Sequence, residues 1–314
     1  MSEEFMVLGK QPYDVIAQRL HEIGDHEAAQ YYEARIGDLA SLEEGGLWPR
    51  AWLNTDHQYG FFAPSQSGSK RLRQIIAAGE MEADLSLQNQ RINVYLDWLH
   101  AYEYPPPLIS FGDNIHTILF TFEARNQVKE GEEHVALNQI YHARSGQDAS
   151  VTGYPIFIGL NVGLQGIGFS CKTINVSNSN DKKLVDAINS QAMKLGLSLL
   201  TTAQPALTPF IRVAQGMTNA LSQRNVGVQG FDLGLDFNTG PSGARLAMGS
   251  YVVVQVPRSG ELDWDDWGYD TRTQTIVRTR LARGEKSHIL PYNAIIFRVS
   301  KYQSKKVRKA NSSL

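Results

Sequence analysis

Residues 154–176 read YPIFIGLNVGLQGIGFSCKTINV and residues 230–237 read GFDLGLDF. In the first stretch Ile156, Ile158, Leu160, Val162 and Leu164 share one parity, with Phe157, Gly159, Asn161, Gly163 and Gln165 on the other. In the second, Phe231, Leu233, Leu235 and Phe237 alternate with Asp232, Gly234 and Asp236. A period of two predicts strands with one buried face. Upstream, His116, Ile118, Phe120 and Phe122 alternate in HTILFTFEA, the polar NQVKEGEE turns the chain, and HVALNQIYHA returns as a hairpin partner. Further strands are expected at 247–256, 273–279 and 293–300, and helices at about 181–200 and 210–223 around QPALTP. Strands outnumber helices too heavily for a doubly wound fold, so this half predicts a mostly antiparallel β-sandwich or curved sheet with an inserted helical hairpin.

The first hundred residues predict helices. YDVIAQRLHEI and HEAAQYYEARIGDLASLEE carry helix formers around a break at Gly24 and Asp25. The phrase LHEIGDHEAAQYYEARI resembles one tetratricopeptide unit; only one copy stands in the chain, so the resemblance implies a helical hairpin and not the repeat family. Ser67 or Ser69 would cap a helix through KRLRQIIAAG, and Ile92, Tyr95, Leu96 and Leu99 mark one helical face. Pro105, Pro106 and Pro107 end that pattern. The fold class expected is therefore α+β, with residues 1–107 an acidic, mainly helical region. Residues 108–314 form a basic β-sandwich-like domain with a helical insertion at about 181–223 and a short basic tail.

Of the 314 residues 42% are hydrophobic and 20% charged, which places the chain among globular proteins. The net charge of −2 hides a split. Residues 1–107 hold 16 acidic and 8 basic side chains, and residues 108–314 hold 16 acidic and 22 basic. Lys301, Lys305, Lys306, Arg308 and Lys309 form a basic surface candidate that would suit nucleic acid or an anionic membrane; a solvated tail explains the same residues. No basic segment precedes an apolar run at the start, and no window is apolar enough for a membrane helix, so a cytoplasmic location without a transmembrane helix is expected. The single cysteine, Cys171, excludes an intrachain disulfide and any multi-cysteine metal site. It shares the parity of Ile167 and Phe169, which predicts a buried thiol.

Few motifs carry chemistry. In HEIGDH the histidines His21 and His26 stand five apart across a break, unlike the four-residue spacing that puts two zinc ligands on one helix face. QSGSKRLR lacks the P-loop spacing, no GxSxG elbow occurs, and neither a metal nor a cofactor is expected. His116 and His142 would face each other if Phe122 opposed Ala136 in the hairpin, close enough to share a proton or metal; the neighbouring frame separates them. ELDWDDWGYD gathers Glu261, Asp263, Trp264, Asp265, Asp266, Trp267 and Asp270 on one segment, suited to a cationic partner or to calcium, although the EF-hand spacing is absent. Glycines at 159, 163, 166, 168, 230 and 234 require either close packing onto the strands or the small-residue alternation of membrane barrels. Together these features predict a non-enzymatic binding or assembly module that recognises a protein partner. The alternatives are a membrane-active effector and a hydrolase whose site carries no sequence motif.

Overall fold

The computed structural model describes residues 12–22, 26–34, 36, 56–64, 71–102, 115–128, 131–144, 147–149, 151–176, 228–238, 243–258, 260–279 and 290–303. The expected helices between 181 and 223 lie outside the described residues.

Three antiparallel sheets account for most of them. The first runs β3 (Ile76–Ala77), β1 (Asp56–Phe62), β11 (Gly249–Val256), β14 (Ala294–Lys301) and β4 (Arg91–Ala101), and the far edge of β4 is shared by β7 (Gln147–Ala149) and β8 (Tyr154–Asn161). The second runs β10 (Val228–Asp236), β9 (Gly166–Val176), β5 (Ile115–Val128) and β6 (Gly131–Arg144). The third runs β13 (Thr275–Arg278), β12 (Trp267–Asp270) and β2 (Leu72–Gln74).

Alternating side chains put the first sheet between the other two. Tyr251, Val253, Ile295, Phe297 and Val299 join Phe120, Phe122, Phe169 and Leu233 of the second sheet in one core. Their neighbours Val252, Val254, Val256 and Ile296 join Ile75, Trp264, Trp267 and Ile276 in another. All eight residues of β11 are consequently buried. Phe297 lies 4.8 Å from Phe169 and 5.6 Å from Tyr251, centroid to centroid, which ties the first two layers through aromatic contacts.

This arrangement overturns the helical reading of the first hundred residues. Two short helices, α1 (Tyr13–Glu22) and α2 (His26–Glu33), pack through Ile16, Ala17, Ala29 and Tyr32, but the other described segments before Pro105 are strands and turns. The fold is a stack of β layers and not a helical region followed by a sandwich. The physical reason lies in β4. A strand covered on both faces is apolar at both parities, and a bulge at Asp97 breaks the period of two. Ile296 pairs with Trp98 and Phe297 with Leu96, so Leu96 and Leu99 enter one core while Trp98 enters the other. The result imitates an i, i+3 helical face.

The bulged Asp97 is buried and held by Arg298 at 2.8 and 3.3 Å and by the Gly153 N–H at 2.9 Å. The boundary expected at Pro105–Pro107 does not separate two sheets: β1 precedes it and pairs with β11, and β4 precedes it and pairs with β7, β8 and β14, all of which follow it.

Candidate binding cleft

The acidic aromatic segment folds into a turn that the rest of the protein holds rigidly. Gln58 on β1 grips Leu262 at both backbone atoms, its Nε2 donating to the carbonyl at 3.0 Å and its Oε1 accepting from the N–H at 2.6 Å. Asp263 caps the single 3-10 turn Trp264–Asp266, its carboxylate accepting from the Asp265 N–H at 3.0 Å. Thr279 closes the other side by donating its hydroxyl to the Asp265 carbonyl and its N–H to the Asp266 carbonyl, at 2.9 and 2.8 Å.

Within this segment the seven candidate residues divide by role. Trp264 and Trp267 are buried in the second core, and the Arg278 guanidinium lies 5.6 Å from the Trp267 ring centroid. Glu261 is paired with Arg258 at 3.0 Å, and Tyr292 reaches its other oxygen at 3.5 Å. Asp270 is buried; Arg71 donates to it from Nε and Nη2, the latter at 2.7 Å, and the N–H groups of Arg272 and Thr273 cap it. The Arg71 hydrogen bonds hold its carboxyl below the usual range, at about 2, against the desolvation that would raise it. Asp266 is half-buried and stands off the cleft described next.

Asp263, Trp264 and Asp265 line a cleft of about 980 Å³. Its other walls come from His57, Gln58 and Tyr59 of β1, from residues 74–77, from Gly79 and Glu80, and from Gly243 and Gly260. Glu80, Asp263 and Asp265 are exposed, and among the described residues none of the three enters an ion pair. No lysine or arginine is among the described lining residues. The cleft depends on two close approaches. A Cβ at Gly60 would stand 2.6 Å from Ile75 Cγ2 and 2.9 Å from Trp264 Cη2, and one at Gly79 would stand 2.8 Å from the Gly243 carbonyl oxygen. The Tyr251 hydroxyl steadies the Gly243 side by donating to the Arg245 carbonyl at 2.7 Å and accepting from the Ala247 N–H at 2.8 Å. Sequence reasoning missed His57, Tyr59, Gln74 and Glu80 because they lie on β1 and around β2 and β3, whose short, turn-flanked strands carry no alternation to read.

The remaining candidates fall elsewhere. The hairpin pairs His116 with Ala143 and His142 with Thr117, the frame in which the two histidines do not oppose each other. Phe122 opposes Leu137 because the strands continue through the polar stretch to Val128 and Gly131, leaving a shorter turn than NQVKEGEE implied. Lys301 is exposed at the end of β14, whereas Lys305, Lys306, Arg308 and Lys309 lie outside the described residues. Cys171 is buried, and burial pushes its thiol pKa up, away from nucleophilic use. Among the described residues no group of three or more His, Cys, Asp or Glu could hold a metal ion, and no helix is long and apolar enough to cross a membrane.

A second cleft of about 810 Å³ lies on the second sheet, where Gly163, Gly166, Gly168 and Gly234 adjoin Glu123, Arg125, Glu132, His134 and Asp236. Two of the strand glycines there, Gly163 and Gly166, stand against close neighbours, whereas a Cβ at Gly168 would meet Arg125 at an ordinary 3.6 Å. A Cβ at Gly163 would meet Gln127 Cγ at 2.8 Å, and Gly166, at φ +127°, packs against the Leu235 carbonyl. No family model matches the chain, and comparisons with curated proteins and with solved structures returned no match.

Proposed function

We propose that the protein is a non-enzymatic binding module that takes a basic segment of a protein partner into the cleft beside Asp263–Asp265. One observation carries this reading: three carboxylates that pair with no cation among the described residues, Glu80, Asp263 and Asp265, share a cleft whose described walls hold no lysine or arginine. Elsewhere among the described residues the opposite holds, since Glu261, Asp270 and Asp97 are each matched to an arginine. Unmatched carboxylates around a concave surface attract a cation and steer its approach. The walls supplied by Ile76, Ala77 and Trp264 add apolar surface for the aliphatic stems of lysine or arginine. Among the described strands β3 also ends its sheet, which suits a segment arriving in extended form.

The test is binding of a lysine- and arginine-rich peptide, measured by fluorescence anisotropy against a peptide in which glutamate replaces the basic residues. The variant Glu80→Gln, Asp263→Asn, Asp265→Asn keeps the capping oxygen at 263 and removes the charge. With about 0.5–1 kcal/mol for each exposed pair, it should lose roughly tenfold or more in affinity, and parent binding should weaken with salt. Equal affinity for both peptides, or for parent and variant, would refute the proposal.

A further inference from the structure

Among the described residues the two most exposed large apolar side chains are Leu164, 70% exposed, and Leu85, 63% exposed, and they stand on neighbouring turns. Leu85 opens the single 3-10 turn Leu85–Leu87, whose other leucine, Leu87, is fully buried in the core. Asp84 caps that turn, its carboxylate accepting from the Ser86 N–H at 3.1 Å and from the Ser86 hydroxyl at 2.6 Å. Leu164 lies at the tip between β8 and β9, where the Gly163 N–H donates to the Gly166 carbonyl at 3.2 Å. Gln88 joins the two turns: its N–H donates to the Leu85 carbonyl at 3.2 Å and its Nε2 to the Leu164 carbonyl at 3.0 Å. Apolar side chains scattered singly over a surface need no explanation, but two on joined, braced tips do.

Cations adjoin these tips. Arg91 is exposed, and its Nε donates at 3.2 Å to Oδ1 of Asn161, three residues before Leu164. Lys301, also exposed, pairs with Ile92, and the chain leaves β14 here, the Tyr302 N–H donating to the Arg91 carbonyl at 2.9 Å. The described chain ends at Gln303, and the sequence continues with Lys305, Lys306, Arg308 and Lys309. At no more than about 3.6 Å per residue, all four stay within about 22 Å of that point. The second cleft, which Leu164 borders, holds Glu123, Glu132 and Asp236 as well as Arg125, so attraction for anions comes from Arg91, Lys301 and the cations that follow in sequence. The carboxylates of the first cleft lie far off. Gln58, which grips the chain just before Asp263, stands in one row with Val254, Ala294 and His100. Ile92 and Lys301 occupy the opposite end of the same strands, roughly 25 Å away.

We propose that this end of the protein docks on an anionic lipid surface, with Leu85 and Leu164 inserted among the acyl chains and Arg91, Lys301 and the basic tail on the headgroups. Leucines leaving water and cations meeting anionic headgroups are the two contributions that hold a protein at a membrane interface. A nucleic acid would satisfy the cations and leave both leucines in water. Two separate tips bury too little area for a rigid protein partner, whose specific interfaces need about 1,000 Å² or more, whereas fluid acyl chains close around each tip. A molecule docked in this way holds the Asp263–Asp265 turn away from the anionic surface.

The test floats the full chain with phosphatidylcholine liposomes that do or do not contain about 30% phosphatidylserine. The parent should float with the anionic liposomes alone, and less so as salt rises. Leu85→Ser with Leu164→Ser should weaken this binding by about tenfold or more, and Arg91→Gln with Lys301→Gln by roughly tenfold. All four positions are exposed, so the urea midpoints of both variants should stay at the parent value. Insertion is read separately with an environment-sensitive dye on Leu164→Cys, since the native Cys171 is buried and does not compete for the label. The dye should brighten with anionic liposomes, while the same dye on Leu72→Cys, in the third sheet, should not. The proposal is overturned if the parent does not float, if the leucine variant floats as the parent does, or if the dye at 164 stays dark. It is equally overturned if a nucleic acid binds parent and leucine variant alike while anionic liposomes bind neither.

Discussion

Replacing Gly60 by alanine should destabilise the protein even though the backbone there tolerates any residue. Gly60 lies in the middle of β1, opposite Val252 on one side and Ala77 on the other, with no positive φ. In an open strand the substitution would stabilise by about 0.5–1 kcal/mol, because glycine loses more conformational freedom on folding. Here the new methyl would arrive 2.6 Å from Ile75 Cγ2 and 2.9 Å from Trp264 Cη2, and Ile75 is fully buried with nowhere to retreat. Overpacking of this kind costs about 1–3 kcal/mol, so the net change should be a loss of roughly 0.5–2 kcal/mol. Urea unfolding measures it as a lower midpoint at unchanged slope. Ile75→Ala removes the clashing methyl and alone should cost about 2–5 kcal/mol. The double variant should cost less than the sum of the singles by about 0.5 kcal/mol or more. A Gly60→Ala protein as stable as the parent, or strictly additive costs, would refute the close packing that seats Trp264 and the cleft beside it.

Two other perturbations test the architecture and its electrostatics. A fragment of residues 108–314 lacks β1, β3 and β4, leaving β14 without one neighbour and β8 without its partner; it should show no cooperative unfolding, and a folded fragment would refute the woven sheet. Asp270→Asn should cost about 1–2 kcal/mol near neutral pH, since it weakens charge-assisted bonds at a buried group whose arginine partner is largely exposed. The folded pKa of Asp270 is depressed to about 2, so its contribution is complete above the unfolded value near 3.9 and disappears as pH falls through 2. Denaturant midpoints of parent and variant should therefore converge between about pH 4 and pH 2, and a gap that persists at pH 2 would count against the charge pairing.

How much of this was legible in the sequence depended on how many faces of each strand are covered. Leu233 and Leu235 are buried while Gly234 and Asp236 are half-exposed, so β10 wrote a plain alternation. β4 and β11 lie in the doubly covered sheet, where alternation vanishes and an apolar run fits a helix as well as a strand. The hairpin strands were found, but their register was set one residue away by the length of the turn, which composition does not encode. In the cleft, Asp263, Trp264 and Asp265 were visible as an unusual cluster. What the sequence did not reveal is that Trp264 and Trp267 face inward, that Glu261 and Asp270 are already matched to arginines, and that Glu80 is brought alongside from 183 positions away.

The same architecture explains why a recognition site would sit where it does. With both faces of its main sheet buried, the described residues present sheet ends, turns, the outer sheets and two short helices to a partner. The cleft occupies one such end, and two of its three carboxylates, Asp263 and Asp265, stand on a turn whose cap, side bonds and tryptophan are fixed before any ligand arrives. Charges held in place lose little side-chain freedom on binding, which lets an exposed ion pair contribute more than it would between two mobile side chains. Trp264 links that advantage to the core. Because its ring rests on Gly60 and Ile75, a change in the packing beneath it should move Asp263 and Asp265 together, and affinity for a basic peptide should fall in Gly60→Ala with every carboxylate still present.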